Sequence, residues 1–305
     1  MSQHGRRTSS RLRLPANYNR DIFLSYHQWD KIPLAEHTTA NNLTKGIVIV
    51  GRPSRIVVRL GMKSANAILD VDGGDGNGET AKRIGRNMMG LNQPIEKFEG
   101  IYCDHPEIGP LIRSQSGVRI PQVSPFEALS RAIMGQQVSV VSAIAIRHRL
   151  IKVTAVRHSS GIFCFPDPGT VLKTGKANLL RAGFSNAKAD TLLAVSERID
   201  SGDIPLDLWW NQLHAGEKSD TEIGEELCAL RGIGPWTVNY TLTRGFDWLD
   251  GSLHGDVGMR RGLEKLLGIR EKITDSFAES WLRQFVPWRG LVTAHLWAYR
   301  SAGAP

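Results

Sequence analysis

The chain has 305 residues, 41% of them hydrophobic, and a mean hydropathy of −0.23; that is enough for two modest cores, and no apolar run is long enough to cross a bilayer. A net charge of +8 and a pI near 9.6 favour a polyanionic partner over an acidic or membrane-spanning class. Three cysteines, Cys103, Cys164 and Cys228, are too few and too far apart for a disulfide framework or a four-cysteine iron–sulfur loop, so a reducing compartment is expected.

Residues 1–14 are rich in Arg and Ser, lack acids and lack the apolar core of a secretory signal; a flexible basic tail is expected there. Residues 15–112 read as a small α+β domain. Asp21-Ile22-Phe23-Leu24, Gly46 to Val50 and Arg55 to Leu60 are strand-like runs, the last two joined as a hairpin by Gly51-Arg52-Pro53-Ser54. A third possible strand lies near Ala67 to Val71, followed by the loop Asp72 to Gly78 and a helix from about Glu79 to Met89. The loop is rich in acid and glycine, but counted from Asp72 a calcium loop would need a ligand where Gly74 stands and a glutamate where Arg83 stands, so it reads as a solvated connection. The polar segment Arg113 to Gly117 is the expected domain boundary.

Residues 118–305 read as helical. Ser124-Pro125-Phe126-Glu127 combines a capping serine, proline at the first helical position and a glutamate placed to reach back, opening a helix to about Met134. Gly135-Gln136-Gln137 interrupts it, and Val138 to Leu150 continues as a second helix. Phe163 to Asp167 is a connector, Asn186 to Ile199 a helix, and Leu206 to Leu213 a shorter one whose Trp209 and Trp210 suit core packing.

The stretch 221–244 is a helical hairpin. Ser219 and Glu222 form a capping box, and Ile223, Leu227 and Leu230 share one apolar face. Gly232 and Gly234 bracket a tight turn, and Pro235 opens the second helix, Trp236 to about Arg244. Such a turn aims unpaired N–H groups and the positive end of the helix dipole at what lies in front, which suits a phosphate; an ordinary hairpin without a ligand fits the same residues. Asp256 stands where a helix over about Val257 to Leu267 begins, a common place for a capping carboxylate. Helices over about Thr274 to Phe285 and Gly290 to Arg300 complete the bundle.

Leu230-Arg231-Gly232-Ile233-Gly234-Pro235-Trp236-Thr237-Val238-Asn239-Tyr240 resembles the helix-hairpin-helix of the HhH-GPD superfamily of DNA glycosylases, and Asp256 falls where that family keeps an essential aspartate. Phe126-Glu127-Ala128, Arg131 to Ser139, Pro287-Trp288-Arg289 and His295-Leu296-Trp297 extend the likeness, which is greatest to the 3-methyladenine DNA glycosylase II (AlkA-type) enzymes and covers most of the chain from about Pro121. The fold this implies is mainly α, a helical HhH-GPD bundle preceded by a small antiparallel-sheet domain.

The resemblance implies hydrolysis of the N-glycosidic bond of alkylated purines, with Asp256 facing the positive charge that develops on the sugar. Family members that also cut the strand carry a lysine where Trp236 stands here; an indole is no nucleophile toward a sugar, so no lyase activity is expected. Trp236, Tyr240, Trp297 and Trp288 are candidates for the base pocket, since indole faces attract a cationic base by about 0.5–2 kcal/mol. Gly232, Gly234 and Thr237 are placed to clamp a phosphate, with Arg231, Arg244, Arg260 and Arg261 adding charge. AlkA-type enzymes fill the gap left by an extruded base with an apolar wedge; the corresponding residue is Gln137, beside Gln136, and a polar wedge is a departure. Double-stranded DNA with damaged bases is the implied partner of a monomer that needs no cofactor, save a monovalent cation that hairpins of this family hold on main-chain carbonyls. The implied location is the cytoplasm and nucleoid, or the nucleus of a eukaryote. Two other readings fit: a non-enzymatic helix-hairpin-helix DNA-binding protein, and a glycosylase for deaminated or oxidised bases.

Overall fold

The computed structural model describes residues 7–28, 32–49, 51–61, 64–73 and 79–301. Alternate residues of β4 (Arg52–Leu60) and β5 (Asn66–Asp72) are apolar and buried, Ile56, Val58 and Leu60 on one strand and Ala67, Leu69 and Val71 on the other. That period of two gives the sheet one wet and one dry face. With β1 (Arg7–Arg13), β2 (Glu36–Thr38) and β3 (Asn42–Ile49) these strands form an antiparallel sheet ordered β1-β5-β4-β3-β2. Phe23 and Leu24 of α1 (Arg20–Gln28) and Met88 and Met89 at the end of α2 (Glu79–Met88) share its core.

Several expectations for this region are corrected. Residues 7–13 are not tail: they pair with β5 along their whole length, with Leu12 buried. Residues 1–6, and residues 74–78 of the acid-and-glycine loop, lie outside the described residues. The run at 21–24 is helical, because Asn19 Oδ1 accepts the Ile22 N–H at 3.0 Å and Phe23, Leu24 and His27 then fall on one buried side. Ile49 lies opposite Arg52, which puts Arg52, Pro53 and Ser54 inside β4 rather than in the turn.

Two apolar clusters divide the helices. The first gathers α5 (Pro125–Gly135), α6 (Val140–Thr154), α7 (Pro168–Arg181), α8 (Asn186–Asp200), α9 (Leu206–Ala215), α10 (Asp220–Cys228) and α11 (Pro235–Gly245). Residues 168–181 had no predicted helix; Asp167 caps one there by accepting the Thr170 N–H at 3.0 Å, with Pro168 at its first position. The second cluster joins α12 (Val257–Leu267), α13 (Asp275–Leu282) and α14 (Arg289–Ser301) to α3 (Ile95–Tyr102) and α4 (Gly109–Ser114). This overturns the boundary expected at 113–117. Ile95, Phe98, Ile108, Leu111 and Ile112, assigned to the N-terminal domain, are buried against Leu263, Trp281, Phe285 and Trp288.

The three cores are tied together. β3 docks on the helical part through an isolated bridge of Ile47 to Phe165, and Gly46 is required there, since a methyl group would collide with the Phe163 carbonyl. No helix among the described residues is long and apolar enough to cross a membrane. The hairpin α10–α11 belongs to the first helical core and Asp256 opens a helix of the second, so the candidate site lies on the seam between them.

Candidate active site on the seam between two helical cores

The hairpin forms for local reasons. Ser219 Oγ accepts the Glu222 N–H at 3.1 Å while Glu222 Oε2 accepts the Ser219 N–H at 2.8 Å, closing the capping box, and Ile223 and Leu227 are fully buried below it. Gly232 has φ +85° and lies against Thr191 of α8 so closely that a methyl group would strike its Oγ1; both facts require glycine. Gly234 differs: its φ is −109° and a methyl group there would meet nothing within 4 Å. The first helical bond of α11 runs from the Val238 N–H to the Gly234 carbonyl at 3.0 Å, so the Trp236 and Thr237 amides precede it and point off the helix end. Open space before free amides is a place for an anion.

Across the seam, Asp256 is the N-cap of α12. Its Oδ1 accepts the Met259 N–H at 2.8 Å and the Trp297 Nε1–H at 2.9 Å, and Oδ2 takes part in neither bond. Trp297 comes from α14, one face of which packs on α12, so the carboxylate is held by two helices of the second core. Trp236 and Tyr240, one turn apart on α11, stand with ring centroids 5.4 Å apart and planes tilted by 33°. A methyl group on Gly255 would come within 4.0 Å of Trp236 Cδ1, and one on Gly258 within 3.4 Å of Trp297 Cδ1, which brackets Asp256 between the two indoles. Burial raises the Tyr240 phenol, the nearby Arg131 and Arg147 cations opposing it, so it stays a neutral hydroxyl at pH 7. The arrangement offers a carboxylate beside half-buried rings, with an anion seat one helix away.

Four predicted site residues do other work. Trp288 is 7% exposed, with its ring centroid 6.0 Å from that of Phe98, and belongs to the second core rather than to a pocket. Arg244 is 2% exposed and lies over the Tyr26 ring at 4.4 Å, bonded to its hydroxyl. Burial pulls its guanidinium down to about 9, and no phosphate can reach it. Gln136 is no wedge: its amide donates to the Gly232 carbonyl at 2.9 Å and to Thr237 Oγ1 at 3.0 Å, bolting the end of α5 to the hairpin turn. Thr237 Oγ1 accepts that bond with one lone pair, so its own O–H and its main-chain N–H are the donors it keeps for a clamp. Arg260 is paired with Asp275, whereas Arg231 and Arg261 are exposed.

Gln137 stands exposed at the tip between α5 and α6 with φ +53°, a left-handed backbone that is uncommon outside glycine. Beside it Val138, Val140 and Val141 are 40%, 51% and 77% exposed. The second helix, expected from Val138, begins at Val140, with Ser139 as its cap. Three aliphatics grouped in water at a helix start were the signal for a contact surface. Glu127 also departs from expectation. Ser124 does accept its N–H, at 3.2 Å, but its carboxylate turns away from the helix start to Lys45 and Arg131. Two open surface clefts, of about 470 and 660 Å³, lie elsewhere, one against His37, Arg55 and Arg157 and the other against Asn17 and Arg20.

Residues 130–287, just over half of the chain, match the HhH-GPD superfamily of base excision DNA repair proteins. The chain is 27% identical over 194 residues to DNA-3-methyladenine glycosylase 2 of Escherichia coli (strain K12), covering 62% of this chain and 63% of that protein. It is 28% identical over 174 residues to DNA-3-methyladenine glycosylase 1 of Schizosaccharomyces pombe, covering 57% and 71%. A Bacillus subtilis relative is matched over 58% of its length, so the chain spans about three fifths of these bacterial relatives. Among solved structures, the 3-methyladenine DNA-glycosylase of Archaeoglobus fulgidus superposes with a TM-score of 0.80 at 20% identity, covering 96% of this chain and 98% of that one. An 8-oxoguanine glycosylase/lyase of Clostridium acetobutylicum in complex with double-stranded DNA does so with a TM-score of 0.73 at 13% identity, covering 99% of each. At these identities the structural likeness is one of fold.

Proposed function

This chain belongs to the HhH-GPD superfamily of base excision DNA repair proteins, and from that premise we propose that it is a monofunctional DNA glycosylase hydrolysing the N-glycosidic bond of alkylated purines, 3-methyladenine among them, in double-stranded DNA. The observation that carries the reading is Asp256, fixed through Oδ1 by Met259 and Trp297 with Oδ2 left over, next to the Trp236–Tyr240 pair. The names of the E. coli and S. pombe relatives favour the same substrate.

The chemistry follows from charge. When the bond between sugar C1′ and the base nitrogen breaks, the electron pair leaves with the base and C1′ becomes cationic. Asp256 stabilises that cation through space and steers a water oxygen to C1′, the released proton passing to the carboxylate or to solvent. An alkylated purine already carries positive charge, so it leaves readily and is held by electron-rich ring faces, each worth about 0.5–2 kcal/mol. The Trp236 and Thr237 amides hold a phosphate beside the lesion, with Arg231 and Arg261 adding charge from the rim. The Leu230 and Gly232 carbonyls each accept one hydrogen bond and keep a second lone pair, a donor set that fits a hard monovalent cation; bound there, it would add positive charge near that phosphate.

Gly234 offers a clean test of the clamp. Alanine adopts its φ without strain and meets no protein atom, so Gly234→Ala is expected to keep the wild-type melting temperature while weakening binding to abasic-site DNA about tenfold, read by fluorescence anisotropy. Unchanged affinity would remove the phosphate seat. Trp236 occupies the place of a Schiff-base lysine, so borohydride added during turnover is expected to trap no protein–DNA adduct, and product strands to stay whole until alkali is added. A trapped adduct would contradict the monofunctional reading.

The reaction class and substrate are tested together by incubating the protein with methylated DNA and chromatographing the freed bases. 3-Methyladenine and 7-methylguanine are expected in the soluble fraction. Release of 8-oxoguanine from oxidised DNA, with methylated purines left in place, would shift the assignment to the oxidised-base readers; no release from either would leave a DNA-binding protein.

A further inference from the structure

A cluster of five ionisable side chains lies sealed between the sheet and α5. Lys45 of β3 is 1% exposed and donates to Glu36 of β2 at 2.9 Å and to Glu127 of α5 at 3.0 Å. Arg131 of α5 donates to Glu36 at 2.6 Å and is also paired with Glu127. His27 of α1 meets the other Glu36 oxygen at 3.0 Å. Burial holds this imidazole below its usual range, so at pH 7 it is neutral and donates its Nδ1–H to the carboxylate. Burial alone would raise both glutamates, but the Lys45 and Arg131 cations outweigh it and hold them ionised. The cluster therefore contains two cations, two anions and no net charge.

Its place relative to the pocket is set by how α5 packs on α11. A methyl group on Gly135 would lie 3.5 Å from Trp236 Cη2, and one on Gly245 would lie 2.8 Å from the Ala128 side chain. The helices are thus antiparallel and in contact at both ends, which puts Arg131 level with Tyr240. Tyr240 is within electrostatic reach of both Arg131 and Asp256, with Arg147 of α6 a further cation within reach. Two sheet residues thus supply two of the four charges of a cluster that stands behind a site the helices build.

We propose that the Glu36–Lys45–Glu127–Arg131 cluster sets the electrostatic potential of the base pocket, and that its exact charge balance determines how strongly the site prefers cationic over neutral occupants. Without its counter-ions Arg131 would stand behind the rings as a bare positive charge, opposing the cationic base and the cationic sugar alike. Glu36 and Lys45 act through Arg131 and touch no DNA, so they are specificity-determining residues rather than catalytic ones. A unit charge roughly 10 Å from a bound cation, at an effective dielectric of about 20, changes its binding about tenfold.

The inference rests on the glycosylase reading, and the test separates the two. Duplexes are prepared with two abasic-site analogues, a neutral tetrahydrofuran and a pyrrolidine whose protonated nitrogen carries a positive charge, and the ratio of their dissociation constants is measured for each protein. Phosphate contacts and any misfolded fraction are common to both duplexes and cancel. Wild type is expected to prefer the cation. Glu36→Gln is expected to reduce that preference about tenfold, Lys45→Met to raise it by a similar factor, and the double variant Glu36→Gln/Lys45→Met to restore it. Glu127→Gln makes the same charge change from the helix side and is expected to act as Glu36→Gln does, which keeps the test open if one variant folds poorly. A ratio unchanged in these variants, or moved the same way by Glu36→Gln and Lys45→Met, overturns the inference while leaving the function standing. A wild-type protein that binds the two duplexes alike overturns the functional reading and this inference with it.

Discussion

Replacing Asp256 by asparagine is expected to slow release of 3-methyladenine by about 10²–10³-fold while leaving the affinity for abasic-site DNA close to that of wild type. The two effects separate because the residue has two jobs. As the N-cap of α12 it accepts the Met259 N–H at 2.8 Å, and as the partner of Trp297 it accepts an indole N–H at 2.9 Å. The asparagine carbonyl accepts both, and asparagine caps helices as well as aspartate does, so α12 and the packing of α14 survive. Only the negative charge is lost, and with it the stabilisation of a cationic sugar. Single-turnover base release and anisotropy on the same preparation decide the matter. A mutant that releases base at the wild-type rate would leave Asp256 as a cap and nothing more.

Trp288→Ala is expected to cost about 3–5 kcal/mol of folding free energy, the range for deleting a large aromatic side chain from a core. The ring is 7% exposed and packs with Phe98, Phe285 and Leu291 in the cluster that joins α3 and α4 to the last three helices. Truncation would open a cavity in the core that holds Asp256 and Trp297 in place. Trp236→Ala makes the contrast: that indole is half-buried on the seam, so its loss is expected to cost less stability and more base release. Denaturant unfolding of the two variants distinguishes them. A Trp288→Ala protein with wild-type stability and impaired catalysis would return Trp288 to the pocket.

The hairpin was readable in the sequence because everything that makes it is local: the Ser219–Glu222 box, the glycine turn and Pro235 lie within a few turns of one another. Asp256 was readable locally as a cap, but its second donor, Trp297, lies 41 residues further along and no local pattern pairs the two. Which tryptophan faces core and which faces the site is decided by helices from the other end of the chain. Trp288 is covered by α3, and nothing near position 288 announces that. Arg244 follows the same logic. A basic residue on a hairpin helix suits a phosphate, but α11 buries this face in the core and α1 lays Tyr26 across the guanidinium.

Glu127 shows how a local rule is overridden. The sequence Ser124-Pro125-Phe126-Glu127 satisfies the helix-start pattern, and the main chain obeys it. The carboxylate, however, finds Lys45 at a separation of 82 residues and Arg131 one turn on, and a buried ion pair outcompetes a surface cap. The same long-range packing explains the misplaced boundary at 113–117, where the chain is locally polar but α3 and α4 on its near side belong to the C-terminal core. Polarity here marks the exposed end of α4 and the turn after it, not the edge of a domain.

The most direct test of the account is a crystal structure of the protein bound to a duplex carrying a tetrahydrofuran abasic site. The extruded sugar is expected in contact with Asp256 Oδ2, the vacated base position between Trp236 and Trp297, and an adjoining phosphate on the Trp236 and Thr237 amides. A sugar bound away from Asp256, or a duplex seated on a surface that does not include the Gly232–Gly234 turn, would contradict it.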